Sequence, residues 1–173
     1  KFCSIDQCGF MSDLLESINT TSMETKEDLP GTSNNHLFPV FLKLEELRVL
    51  LVGAGKVGME KLNSLLTNSP ATAVHIVAIE VSDEVRKLAA SHANVVIEKR
   101  KFHPVDLQEK ELVIIAINDK EESLRIRQLA KANKLLVNVA DTPDQCDFYL
   151  SSIVQKGNLK IAISTNGKSP TIA

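Results

Sequence analysis

The chain has 173 residues, enough for one domain of ordinary size and a short appendage. It is 43% hydrophobic and 24% charged, with a formal net charge of -2, a near-balance that gives no electrostatic basis for nucleic acid or an anionic membrane as partner. No apolar run reaches the roughly 18 residues that span a bilayer, and Lys1–Phe10 lacks the apolar core of a secretory signal, so a cytoplasmic location is expected.

Residues 1–35 are expected to form a poorly ordered tail, because Asn19–Asn35 is polar and rich in turn formers and cannot bury enough surface to order itself. Within it, Phe10–Ile18 has the spacing of a short amphipathic segment, with Met11, Leu14, Leu15 and Ile18 on one face. Residues 36–149 alternate apolar runs with 3.6-period segments. Arg48–Val52 is a continuous apolar run, the sign of a strand covered on both faces. Lys56–Thr67 follows as a helix with Val57, Leu62, Leu65 and Leu66 inward, stopped at Asn68-Ser69-Pro70. Val74–Ile79 is a second strand, and Ser82 is an N-cap with Asp83 and Glu84 in the positive first turn. Val95–Glu98, Leu112–Ile117 and Leu135–Ala140 are further strands, with the helix Lys120–Asn133 before the last of them burying Ile126, Leu129 and Ala130. Strands alternating with helices imply an α/β fold with a parallel, doubly wound sheet. In residues 150–173 the style changes: Ser152–Gln155 and Leu159–Ser164 flank Lys156-Gly157-Asn158 as a hairpin, and Ser169–Ala173 has the start of a helix.

Gly53-Ala54-Gly55-Lys56-Val57-Gly58 is a G-x-G-x-x-G sequence. Such triplets occur by chance, but this one directly follows a buried strand and opens a helix, and Glu80 follows it at about the 20-residue spacing of a dinucleotide site. In that reading Gly53 permits the tight turn, Gly55 lets a pyrophosphate approach the backbone, and Gly58 lets the helix pack on the strand. Glu80 would accept from a ribose 2′-hydroxyl and repel a 2′-phosphate, favouring NAD over NADP. The bland alternatives are a glycine-rich turn that binds nothing and a solvated glutamate. No Gly-Lys-Ser/Thr closes the loop, which argues against ATP.

Dinucleotide binding does not name a substrate. The only tyrosine, Tyr149, has Ile153 where a Tyr-x-x-x-Lys pair needs lysine. The three cysteines and four histidines are too scattered for a disulfide framework or a structural metal, and none is expected. The block Asn138–Phe148 remains. Asp141 stands at the carboxyl end of the fifth strand, where open α/β sheets place their chemistry. Asp141, Asp144 and Asp147 crowd into one loop, which a solvated turn would explain equally well.

These residues carry a family resemblance. Leu37-Phe38-Pro39-Val40-Phe41-Leu42 resembles an LPxFxxL opening, Asn138–Asp141 with Cys146-Asp147-Phe148 an NVxDxPxxCDF block, and Leu159–Pro170 a segment entering a dimerisation domain. With the glycine loop and Lys61, these blocks are similar, in order, to the precorrin-2 dehydrogenase / sirohydrochlorin ferrochelatase family, which also forms the N-terminal half of sirohaem synthases. The resemblance implies a Rossmann-type domain, NAD as cofactor, and removal of two hydrogens from precorrin-2 to give sirohydrochlorin. Some members also insert ferrous iron or cobalt. It places the key aspartate on Asp141, NAD contacts on Lys56, Val57, Ile79 and Glu80, and the nicotinamide side near Asn118. Asn138 and Thr165 fall on the substrate side. It further implies that 150–173 begins a dimerisation and substrate region continuing past Ala173, with a homodimer for the full-length protein. The chain departs from the pattern at Gly58: many members have alanine there, and the turn is expected to tolerate the change to glycine. Thr165 stands where some have serine, a position tied to substrate binding or phosphorylation, and Ser151 stands where a proline is common. Two other readings stay open: an NAD-sensing regulatory module without catalysis, and a chelatase with vestigial NAD binding.

Overall fold

Val49 to Ala54 are all buried in the first strand, β1 (Arg48–Ala54), as an apolar run without polar alternation requires. The computed structural model describes residues 35–165. Around β1 the chain builds α1 (Lys56–Asn68), β2 (Ala73–Val81), α2 (Asp83–Ala90), β3 (Val95–Lys99), β4 (Leu112–Ile115), α3 (Lys120–Ala132) and β5 (Leu136–Val139). All five strands are parallel and lie in the order β3-β2-β1-β4-β5.

The pleat sorts the core into two layers. Val49 and Leu51 point to one face with Leu62, Leu65 and Leu66 of α1 and Val85 of α2. Leu50 and Val52 point to the other, against Ile126 and Ala130 of α3. Burying a side chain such as Leu62 or Ile126 stabilises by about 1.5–3 kcal/mol, so helices on both faces hold the carboxyl edge of the sheet in place. Val57, expected inward, is only half-buried and lines a cleft instead.

β1 and β2 run further than expected, through Gly53-Ala54 and through Glu80-Val81, so the functional positions lie inside strands. β4 stops short at Ile115 although the Ala116 amide still donates to Val52 O at 2.7 Å. Beyond it the backbone leaves the sheet to reach Asp119, whose side chain caps α3.

β6 (Ser152–Lys156) and β7 (Leu159–Ile163) form a separate antiparallel pair. Lys156 pairs with Leu159, so the turn is Gly157-Asn158 alone, with Gly157 at φ 58 in its first position. Leu37–Leu42 forms no strand and is exposed, Phe38 at 85%. The amphipathic segment Phe10–Ile18 and the helix start at Ser169–Ala173 lie outside the described residues.

Candidate functional site

The glycines of the β1–α1 turn do three different things. Gly53 adopts φ 104, in the left-handed half of backbone space that favours glycine. A Cβ on Gly53 would stand 2.2 Å from the carbonyl oxygen of Ala116, and one on Gly58 would stand 2.4 Å from the carbonyl oxygen of Gly53. Both glycines serve backbone-on-backbone packing. At position 58 a methyl group would meet a carbonyl that moves only if β1 moves. A Cβ on Gly55, by contrast, would meet nothing within 4 Å, leaving open space above the turn.

Gly55 is also the N-cap of α1, with no side-chain cap and no acidic residue in the first turn. The helix therefore keeps unmade N–H bonds and a positive end towards that space. α2 and α3 are capped by Ser82 and Asp119, with Asp83-Glu84 and Glu121-Glu122 in their first turns. An anionic diphosphate fits the first of these helix ends and is repelled by the other two.

A cleft of about 760 Å³ opens over the turn. Gly53, Gly55, Lys56 and Val57 line it from the turn, Ile79 and Glu80 from β2, and Asn118 from the loop after β4. Gly58 is buried and stands one layer behind. A register shift places the β2 pair: Val52 pairs with Val77 but Ala54 pairs with Val81, so β2 carries surplus residues there. The surplus lifts Ile79, 60% exposed, and Glu80 out of the ladder onto the rim.

Sequence reasoning missed the facing wall, which comes from Arg100, Lys101 and Phe102 after β3, from the α3 cap Asp119 and from Glu122 and Arg125 of α3. The α3 residues were within reach, because α3 follows the strand beside β1; the loop after β3 carries no motif. Arg125 donates to both Glu122 oxygens at 2.7 Å, and its guanidinium lies 5.7 Å from the Phe102 ring centre. Arg100 forks onto Asp106 at 2.8 and 2.6 Å while its Nε donates to Glu98 at 2.6 Å. Burial pushes the Asp106 carboxyl up, but hydrogen bonds from Arg100 and the His103 amide outweigh it and hold the carboxyl below the usual range. The Arg100 hydrogen bond likewise holds Glu98 low. Arg100's charge is thus already matched by two carboxylates.

A second cleft of about 460 Å³ shares Ile117 and Asn118 with the first, and Asp141 lines it. Asp141 directly follows Ala140 at the end of β5 and adopts φ 58, a conformation that aspartate tolerates better than most residues. Its loop is bound to β5 by side chains of the same block. Val139 N donates to Cys146 Sγ at 3.2 Å and Sγ donates to Val139 O at 3.1 Å. Asp147 accepts from Val137 N at 2.9 Å and from Lys131 Nζ at 2.8 Å. Asn138 donates to Phe148 O at 2.8 Å, while its buried Oδ1 has no hydrogen-bond partner among the described residues. The three aspartates therefore separate: Asp147 fastens the loop, Asp144 is exposed outside both clefts, and Asp141 faces the second. Asn138 and the half-buried Thr165 line neither cleft. Among the described residues no group of His, Cys, Asp and Glu is placed to hold a metal ion, and no helix is long and apolar enough to cross a membrane.

A parallel sheet in this order, with a glycine turn where strand order reverses, defines a Rossmann-type dinucleotide-binding domain. The chain belongs to the family described as "Putative NAD(P)-binding", which it matches over residues 40–152. Residues 156–173 match the family described as sirohaem biosynthesis protein, central. A sirohaem synthase of Pseudoalteromonas atlantica is 36% identical over 135 residues, covering 78% of this chain and 29% of the relative. One of Nitrosomonas europaea is 32% identical over 135 residues, covering 78% and 28%. The chain thus spans under a third of the length of the curated relatives it matches. Among solved structures, SirC, a precorrin-2 dehydrogenase, aligns with a TM-score of 0.67 and 27% identity over 79% of this chain and 65% of that one.

Proposed function

We propose that this chain is the NAD-dependent dehydrogenase part of a sirohaem-forming enzyme, oxidising precorrin-2 to sirohydrochlorin. The observation that carries this reading is the wall of Ile117 and Asn118 shared by the glycine-turn cleft and the Asp141 cleft. In this reading a dinucleotide in the first cleft would lie end-on to the carboxylate lining the second. The names of the relatives supply the substrate class.

NAD, when bound, supplies the acceptor for a hydride. The chain's own residues do the rest. Gly55, Lys56 and Val57 present amides to the diphosphate, with Gly53 and Gly58 holding the turn closed. Ile79 packs at the rim while Glu80 accepts from the ribose and repels a 2′-phosphate. Arg100, already engaged by Glu98 and Asp106, offers no spare cation to such a phosphate. Asn118 stands at the junction, on the nicotinamide side. As the hydride leaves the macrocycle a proton must leave too, and a carboxylate oxygen of Asp141 takes it. Asn138 acts from behind by holding the loop. Residues 36–149 are the NAD domain, and 150–173, with Thr165, begin the region that covers the substrate and joins two copies in the cytoplasmic full-length protein.

Adding precorrin-2 to full-length protein and NAD should yield NADH and sirohydrochlorin. NAD binding without turnover would point to a sensing module.

A further inference from the structure

The second cleft holds two cations that the dehydrogenation step leaves unused. Lys120, Ser123, Leu124 and Arg127 line it from α3 at the i, i+3, i+4, i+7 spacing of a single helix face. Among the described residues Asp141 is the only carboxylate lining the same space. Arg127 does not wander: its Nε donates to Gln145 O at 2.8 Å, tying α3 to the loop that follows Asp141. Fixing Nε leaves the two terminal nitrogens of a planar fork, the geometry that meets a carboxylate in two parallel bonds. Lys120, at the first position of α3, has no ion pair or side-chain hydrogen bond with the described residues. Leu124, 44% exposed, and Ile117 of the shared wall give the same cleft apolar surface.

A tetrapyrrole of this biosynthetic class is a broad apolar macrocycle edged with acetate and propionate groups. We propose that Lys120 and Arg127 form a subsite that binds those side-chain carboxylates and so fixes which edge of the macrocycle faces Asp141. This rests on the substrate reading above and adds how the substrate is oriented.

The test uses the full-length protein, with precorrin-2 turnover and the binding of uroporphyrin, a tetrapyrrole with the same kinds of side chain, followed by fluorescence quenching. Lys120→Gln should raise KM for precorrin-2 and weaken uroporphyrin about tenfold, the size of one charge-assisted hydrogen bond. Its kcat and NAD affinity should hold, and Lys120→Arg should restore KM. Arg127→Gln also loosens Gln145, so its diagnostic is salt. In the native protein KM should climb with ionic strength, and in the Lys120→Gln/Arg127→Gln double variant that climb should flatten.

Unchanged KM and uroporphyrin affinity in Lys120→Gln and in the double variant would overturn the subsite while leaving the dehydrogenase intact. A loss confined to NAD affinity would overturn it too, giving the cleft to the nicotinamide half. Weakened uroporphyrin binding in a protein that never forms NADH from precorrin-2 would uphold the subsite and sink the reaction.

Discussion

The carbonyl oxygen of Gly53 occupies the place that a methyl group on Gly58 would need, 2.4 Å from where its Cβ would sit. Alanine gains about 1 kcal/mol of helix propensity over glycine, but overpacking against backbone costs roughly 1–3 kcal/mol. The clash wins. Gly58→Ala should therefore lower stability in a urea melt and weaken NAD, because the amides that face the diphosphate shift with the turn. An unchanged melt and unchanged affinity would mean that β1 yields more easily than its buried neighbours suggest.

What the sequence made legible was periodic or local. Runs such as Arg48–Val52 and the i, i+3, i+4 pattern of α1 state their burial directly, and Gly53-x-Gly55 announces a turn. Placement across the sheet was less visible. Arg100, Lys101 and Phe102 reach the cleft only because β3 lies two strands from β1 and its loop bends back, which no local signal encodes. Asp141 and Asp147 look alike in the sequence; the Val137 amide separates them by claiming one. Lys120 and Arg127 carry no motif; only the fold sets them on the cleft that Asp141 also lines, with Arg127 bonded to Gln145 of the loop after β5.

The Asp106 carboxylate, 2% exposed, joins Arg100 to the His103 turn. Asp106→Ala leaves the His103 amide and part of the guanidinium unpaired. Because Arg100 is 37% exposed, the loss should fall near 2–3 kcal/mol, at or below the roughly 3–5 kcal/mol of a fully buried pair. Asp106, Glu98 and Glu111 are all held below the usual carboxylate range. Their stabilisation is fully present above the unfolded carboxylate values of roughly 4 and is lost as pH falls through the lower folded values. Unfolding free energies measured from about pH 6 to pH 2 should fall at the acid end, and less steeply in Asp106→Asn. An equally steep fall in that variant would remove Asp106 from the acid response.

Glu80 stands on the rim of the first cleft while Arg100 is already engaged. Glu80→Ala should narrow the preference for NAD over NADP, chiefly by admitting the 2′-phosphate. An unaltered ratio of kcat/KM for the two cofactors would place that choice elsewhere.

Burial pushes the Cys146 thiol up, and its sulfur exchanges hydrogen bonds with Val139. Peptide-resolved alkylation should label Cys146 slowly in the folded protein, with a rate that keeps climbing with pH past the ordinary thiol value of about 8.5 instead of levelling there. Fast labelling at neutral pH would show that the loop bearing Asp141 opens readily.

The most direct test sets Asp141→Ala beside the native full-length protein, following NADH formation from precorrin-2 and NAD affinity together. Turnover should drop by roughly 10²–10⁴-fold, the range of a lost proton acceptor, with NAD bound as before. Native turnover in the variant would contradict the assignment of the proton to Asp141, and with it the reading of the two joined clefts as one active site.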